Sequence, residues 1–211
     1  MQIYFIKFCE IFFLEYIIIN IINNLLNKVD KKEFIKKIRQ YGIDNTIPNI
    51  SDVNVKFLID LIKISKTKNM LEIWTANWFS AINFWIELEL IWWKLLSIDF
   101  SQKSYEEALK NIKEVWLENT ISLILWNALD EIPKLENSSY DFIFIDGMMR
   151  RSKDFLELSL PKLKKWWIII IDDVIKFKEK MIWLWEFLDE NNILYNVLPI
   201  DIDDWVMMIV K

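Results

Sequence analysis

The chain has 211 residues, with 26 basic and 31 acidic side chains for a formal net charge of −5, no histidine and a single cysteine, Cys9. That length fits one domain with a substantial core, and the acidic balance gives no global case for a nucleic-acid binder. The missing histidine excludes His-based triads, His metal sites and a His general base, while one cysteine excludes an internal disulfide or a Cys-cluster zinc site and fits a reducing, cytoplasmic setting.

Residues 1–30 form an apolar segment, MQIYFIKFCEIFFLEYIIIN and onward, interrupted by Lys7, Glu10 and Glu15. No uninterrupted apolar run of membrane-spanning length exists there, and no small-residue cleavage site follows. A helix packed on the domain or in a homodimer interface is expected, with membrane-surface attachment the less favoured alternative. From Lys31, KKEFIKKIRQYG repeats Phe34, Ile35 and Ile38 at helical spacing, with Gly42 placed to end the helix. DNTIPNIS is a loop by its Asn, Pro and Ser content, and Val55 to Lys66 returns to a helical pattern.

Short apolar runs then follow at Met70 to Ile73, Leu95 to Ile98, Ile121 to Leu125, Phe142 to Ile145, Ile168 to Ile171, Tyr195 to Leu198 and Val206 to Val210. Helical patterns lie between most of them, such as SQKSYEEALKNIKEV from Ser101 and SKDFLELSLPKLKK from Ser152. This alternation predicts a parallel sheet covered by helices on both faces. Only PIDIDDW separates the last two runs, which are therefore expected to form an antiparallel hairpin.

In such a sheet ligands bind at the carboxyl ends of the strands. Glu72 ends the first strand and opens E-x-W-x-x-x-W with Trp74 and Trp78. With glycine at both Trp positions this would be a tight turn feeding a helix whose first amides approach an anionic group. A dinucleotide fingerprint needs G-x-G-x-x-G, and residue 76 is Ala, so another nucleotide-like cofactor is favoured over NAD. Asp99 closes the second strand, suited to a ribose diol, and Asn127 lies beyond the third, within reach of an adenine edge. Either residue equally suits capping of the next helix; at successive strand ends, one ligand explains them together.

These stretches resemble the class I S-adenosylmethionine-dependent O-methyltransferases of the catechol and caffeoyl-CoA type, a family that includes bacterial enzymes methylating tRNA hydroxyuridine. LEIWTANWFSA is similar to the family's LEIGTxxGYSA, KLLSIDFS to its second-strand acidic motif, LILWNALDEIP to its GDA segment and YDFIFIDG to its FIDA segment. PKLKKWWIIIIDDV resembles L-x-PGG-x-x-x-x-DNV, and LPIDIDDWVMMIVK the closing hairpin. The resemblance runs from about Glu15 to Lys211. It implies a Rossmann-like α/β methyltransferase fold over 31–211, with a mostly parallel seven-stranded sheet. It also implies a cofactor site at Glu72, Trp74, Asn77, Trp78, Ser80, Asp99, Asn127, Ala128 and Asp146.

The same alignment places Trp74, Trp78, Trp93, Trp126, Trp166, Trp167 and Trp205 on family glycines, and Trp116 follows the habit. The chain has 2 glycines and 12 tryptophans, where ordinary usage of about 7% would give roughly 15 glycines. The expectation is that UGA is a glycine codon in this gene, written as Trp in the sequence. Taken literally, an indole at 74 or 78 would fill the space of the methionine moiety.

Asp146 ends YDFIFID, and Asp172 and Asp173 end WWIIIIDD; neighbouring strands would bring the three together. Their oxygens suit Mg²⁺ or another hard divalent cation, which would hold and acidify a substrate hydroxyl for in-line methyl transfer. The family's third ligand is usually Asn, so Asp173 is a departure. Its lysine three residues beyond the first metal Asp is here Met149, and the adjacent Arg150 and Arg151 are poor proton acceptors. Deprotonation is then left to the metal, with Asp146 as the catalytic residue. Arg150, Arg151, Lys153, Lys162, Lys164 and Lys165 would form a basic rim for tRNA or a solvated face; a small hydroxylated aromatic needs few of them. A non-catalytic cofactor-binding protein of the same fold is the competing expectation, with an NAD-dependent oxidoreductase behind it.

Overall fold

The computed structural model describes residues 31–74, 76, 79–88, 93–115, 117–118, 120–202 and 205–211. The expectations for residues 1–30, and for Asn77, Trp78 and Trp116, lie outside the described residues. Two helices come first, α1 (Lys31–Asp44) and α2 (Asp52–Ser65). The Ser51 hydroxyl caps α2 by accepting from the Asn54 amide, and Lys66 closes it in the left-handed region at φ 57°. α1 runs two residues past the expected stop at Gly42. Its end is set instead by Thr46 at φ 56°, with the Ile47 amide donating back to the Gly42 carbonyl at 2.8 Å.

Strands and helices then alternate: β1 (Asn69–Ile73), α3 (Phe79–Leu88), β2 (Lys94–Asp99), α4 (Gln102–Glu114), β3 (Ile121–Leu125), α5 (Ala128–Glu131), β4 (Tyr140–Ile145), α6 (Ser152–Ser159), β5 (Leu163–Ile171), α7 (Ile182–Glu190), β6 (Tyr195–Leu198) and β7 (Val206–Val210). The seven strands form one sheet in the order β3-β2-β1-β4-β5-β7-β6. β1 to β5 are parallel and β7 is antiparallel to both β5 and β6, which gives the expected hairpin. The helix read across 152–165 stops at Ser159, because Pro161 has no N–H to continue it. Leu163 to Lys165 instead open β5, which reaches Ile168 through a register shift against β4.

Side chains alternate along each strand, so the sheet carries two apolar layers. Met70, Leu95, Phe142, Phe144 and Ile170 pack with Leu58, Ile62, Ile82 and Ile112 from α2, α3 and α4. Leu71, Ile73, Ile98, Ile143, Ile145 and Ile171 pack with Phe155, Leu156, Leu184 and Leu188 from α6 and α7. The strand order reverses at the β1/β4 junction, and the crevice outside the carboxyl ends there is where such sheets hold ligands. No helix among the described residues is long and apolar enough to cross a membrane.

Candidate active site

The ladder carries each key strand one residue past its end and so fixes the site backbone. The Trp74 amide donates to Ile98 O at 2.9 Å, Asp146 to Ile73 O at 3.2 Å and Asp172 to Ile145 O at 3.0 Å. Trp74, Asp146 and Asp172 therefore stand side by side on the carboxyl edge. The loops that follow are bent hard: Trp74, Ala76, Met148 and Asp173 have φ of 82°, 48°, 51° and 56°. Residues without glycine's freedom avoid that region, and such strain gathers at functional sites.

A pocket of about 510 Å³ opens there, its walls including Trp74, Asp99, Asn127, Ala128, Met148 and Phe155. Asp99 is buried and already orders the rim: one oxygen accepts from the Ala76 amide at 3.0 Å and the other from the Ser101 amide at 2.7 Å. Asn127 caps α5, its side-chain oxygen accepting from the Leu129 amide at 3.1 Å. Asn127 thus both caps α5 and lines the pocket, whereas Asp99 lines the pocket without capping α4, whose N-cap is Ser101.

Beneath the pocket, Glu72 is fully buried in the layer under α3, in register with Ser97 of β2. Ser80 donates to one of its oxygens at 2.6 Å and Ser97 to the other at 2.7 Å. Burial dominates, pushing the carboxyl up to about 7 against the two hydrogen bonds that oppose it; nearby Asp99 adds to the rise. Ser97 was not singled out in the sequence, although a serine two residues before Asp99 in an apolar strand is a legible signal.

Asp146 and Asp172 meet as a carboxyl pair, and their hydrogen bond requires a proton on one of them. Burial first, then the charges of Asp172, Glu72 and Asp173, holds Asp146 well above the usual carboxylate range. Asp173 stands beside the pair with Lys176 Nζ at 3.5 Å from its Oδ1. Among the described residues no three His, Cys, Asp or Glu side chains form a cation cage. Asn54, from the first turn of α2, reaches in with its Nδ2 at 3.4 Å from Asp172 Oδ1. It was missed in the sequence, where it is a polar residue within an otherwise apolar helical stripe.

The basic residues do not form one rim. Arg151 pairs with Asp154 at 3.0 Å and Lys153 with Glu157 at 2.6 Å beside the pocket. Lys162 and Lys164 lie at the start of β5, the opposite edge of the sheet from Asp172. There Lys162 is buried, donating to Pro133 O and Leu135 O, and Lys164 pairs with Asp141 at 2.6 Å.

The O-methyltransferase family model matches residues 27–182, well over half of the chain. The chain belongs to the O-methyltransferase family. It is 29% identical over 153 residues to tapetum-specific methyltransferase 1 of Arabidopsis thaliana, covering 69% of this chain and 65% of that one. With the catechol O-methyltransferase of Mycobacterium tuberculosis it shares 24% over 122 residues, 57% and 54% of the two chains. These matches thus span just over half to about two thirds of the length of those curated relatives. An O-methyltransferase from Bacillus cereus in complex with SAH has the same fold, with a TM-score of 0.72 at 21% identity over 91% of this chain and 96% of that one. The expected α/β methyltransferase architecture is what the family membership and the sheet order both give. The competing oxidoreductase expectation does not fit this family.

Proposed function

We propose that this protein transfers a methyl group from S-adenosylmethionine to a hydroxyl of a small aromatic acceptor, assisted by a divalent cation. The observation that carries the proposal is the juxtaposition, at the sheet's switch point, of the pocket lined by Asp99, Asn127 and Ala128 with the carboxyl pair Asp146–Asp172. Asp99 suits the ribose diol and Asn127 and Ala128 an adenine edge, while apolar Ile73, Ile98 and Phe155 suit its faces. Ser80 and Glu72 support the turn that faces the methionine end. When bound, S-adenosylmethionine supplies a sulfonium methyl whose bond to sulfur breaks as the acceptor oxygen takes it, leaving S-adenosylhomocysteine.

The donor chemistry at the acceptor end is all oxygen and strongly anionic, which fits Mg²⁺ or a similar hard cation. Asp146 and Asp172 would hold it, with Asp173 beside them. Such a cation acidifies a bound hydroxyl. Asp146 and Asp172 would fix where that hydroxyl sits; Met149 supplies no amine to take the proton, and Lys176, 3.5 Å from Asp173 Oδ1, is an amine beside the pair. The dispersal of Lys162 and Lys164 to the far edge favours a small acceptor over tRNA.

Trp74 bears directly on this reading. Its φ of 82° is a glycine conformation, its ring packs edge-on against Phe100 at 5.1 Å, and a Cβ built on Gly147 would stand 2.3 Å from its Cγ. The indole therefore lies across the switch point, pressed on the backbone of the next strand's loop. Trp166, at φ 69°, is a second tryptophan in a glycine conformation. We infer that position 74, and the other turn tryptophans with it, are glycine in the protein as made by its host, through UGA decoded as glycine.

The test is peptide mass spectrometry of the host protein over residues 71–103, followed by calorimetric S-adenosylhomocysteine binding to the chain as written and to Trp74→Gly. Glycine at 74, and binding at least tenfold tighter in Trp74→Gly, are expected. Tryptophan at 74 in the host protein removes the recoding. Because an indole at 78 would fill the same space, it is absence of cofactor binding by Trp74→Gly combined with Trp78→Gly that removes the methyltransferase reading, and retention of cofactor without transfer to any phenolic hydroxyl leaves a binding protein.

A further inference from the structure

We propose that Asn54 is a ligand of the divalent cation, its carboxamide oxygen completing the donor set that Asp146 and Asp172 begin. The inference rests on the cation-assisted reading above. Asn54 is fully buried, on the helix turn that also carries Val55, Leu58 and Ile59 into the core. Its Oδ1 accepts no hydrogen bond among the described residues. Burying an amide oxygen without a hydrogen bond is costly, so a position that keeps one has a use for it. Its Nδ2 lies 3.4 Å from Asp172 Oδ1, at the long limit of a hydrogen bond. Half a turn of the terminal amide exchanges its two ends, which are alike in shape, and presents oxygen to the same carboxylate.

Two oxygens 3.4 Å apart repel unless a cation or a proton lies between them. Hard cations accept Asn carbonyl oxygens alongside carboxylates, and a neutral third donor suits a site already crowded with negative charge. Asp173 is less available, because Lys176 already stands 3.5 Å from its Oδ1. The turn bearing Asn54 is held in place at both ends of its cap: Ser51 accepts from the Asn54 amide and meets Asp201 of the β6–β7 connection. Cation binding would thus fasten α2 to the carboxyl edge of the sheet.

The experiment titrates Mn²⁺ into the full chain by electron paramagnetic resonance, comparing the parent with Asn54→Ala and Asn54→Asp and following thermal unfolding of each with and without Mn²⁺. Loss of a ligand should weaken Mn²⁺ binding on the order of tenfold or more in Asn54→Ala and remove most of the Mn²⁺-induced rise in Tm. Asn54→Asp should bind Mn²⁺ at least as tightly as the parent, since it adds an anionic oxygen. If Asn54 merely donates to Asp172, a folded Asn54→Ala keeps parent-like Mn²⁺ affinity; that result overturns the inference. Should Asn54→Ala fail to fold, Asn54→Leu, of similar volume and without a donor oxygen, decides in its place, parent-like Mn²⁺ affinity again overturning it. A parent chain that takes up no Mn²⁺ sinks the inference while cofactor binding still tests methyl transfer. Asn54-dependent Mn²⁺ binding without any cofactor affinity would keep the site and sink the transferase reading.

Discussion

Strand β4 has one aspartate near its start and another one residue past its end, and the two live opposite lives. Asp141, at the amino edge, accepts from the Lys68 and Asn69 amides at 2.8 and 3.0 Å and pairs with Lys164. Asp146, at the carboxyl edge, faces Asp172, Glu72 and Asp173. One buried carboxylate is neutralised and saturated; the other is repelled by its neighbours. The amino edge is arranged for stability, and the carboxyl edge holds unrelieved charge that only a ligand or a proton can settle.

Removing each charge should separate these roles. Asp146→Asn, made in the Trp74→Gly background, should lower methyl transfer on the order of 10³-fold, about 4 kcal/mol, by losing the cation's grip on the acceptor. Its Tm should stay level or rise, because a like-charge contact is gone. A fall in both together would make Asp146 a structural group. Asp141→Ala should do the reverse. Breaking an ion pair whose lysine is over a third exposed, and stranding two amides, costs about 3 kcal/mol of stability, read by urea unfolding, while transfer per folded molecule stays near the parent's.

Glu72 sits between the two extremes, satisfied by hydrogen bonds yet held up to about 7 from 4.5 by burial. Because the folded state binds its proton more tightly than the unfolded chain, the contribution is complete below pH 4.5 and is lost as pH rises through 7. A rise of that size corresponds to roughly 3 kcal/mol. Unfolding free energies measured from pH 4 to 8 should therefore decline across that window in the parent, and decline less in Glu72→Gln. Equal slopes would mean that Glu72 titrates normally and that the buried cluster is wetter than the hydrogen bonds imply.

The carboxyl edge was legible in the sequence because strand ends announce themselves: an apolar run stops and Glu72, Asp99, Asp146 or Asp172 follows. Alternation of apolar runs and helical patterns carried the sheet and its hairpin for the same reason. The carboxyl-end rule singled out Asp146 over Asp141, but nothing local showed that Asp141 would be paired with Lys164 and two backbone amides. Asn54 was hidden because it reaches the site from α2, far away along the chain, and no local pattern encodes that contact. Gly42 misled because a helix stop depends on which residue turns left-handed, and here Thr46 takes that role.

The smallest expected effect sharpens the comparison from outside the site. Trp166 lies near the start of β5, on the stable side of the sheet, three-quarters exposed, with its amide donating to Lys211 O. Its left-handed backbone at φ 69° costs an L-residue about 1–2 kcal/mol, and its exposed ring, with Lys165 over its face, recovers little. Trp166→Gly removes that strain but gives the unfolded chain more freedom, about 0.4–1 kcal/mol. The net gain should be near 1 kcal/mol, a rise in Tm of about 2–4 °C, with no change in cofactor affinity. Trp74→Gly releases comparable strain but also clears the pocket, so it alone should change binding. If Trp166→Gly instead lowers Tm, the indole is a native part of the β5 register shift, and the argument that turn tryptophans stand in for glycines loses a left-handed position where the pocket plays no part.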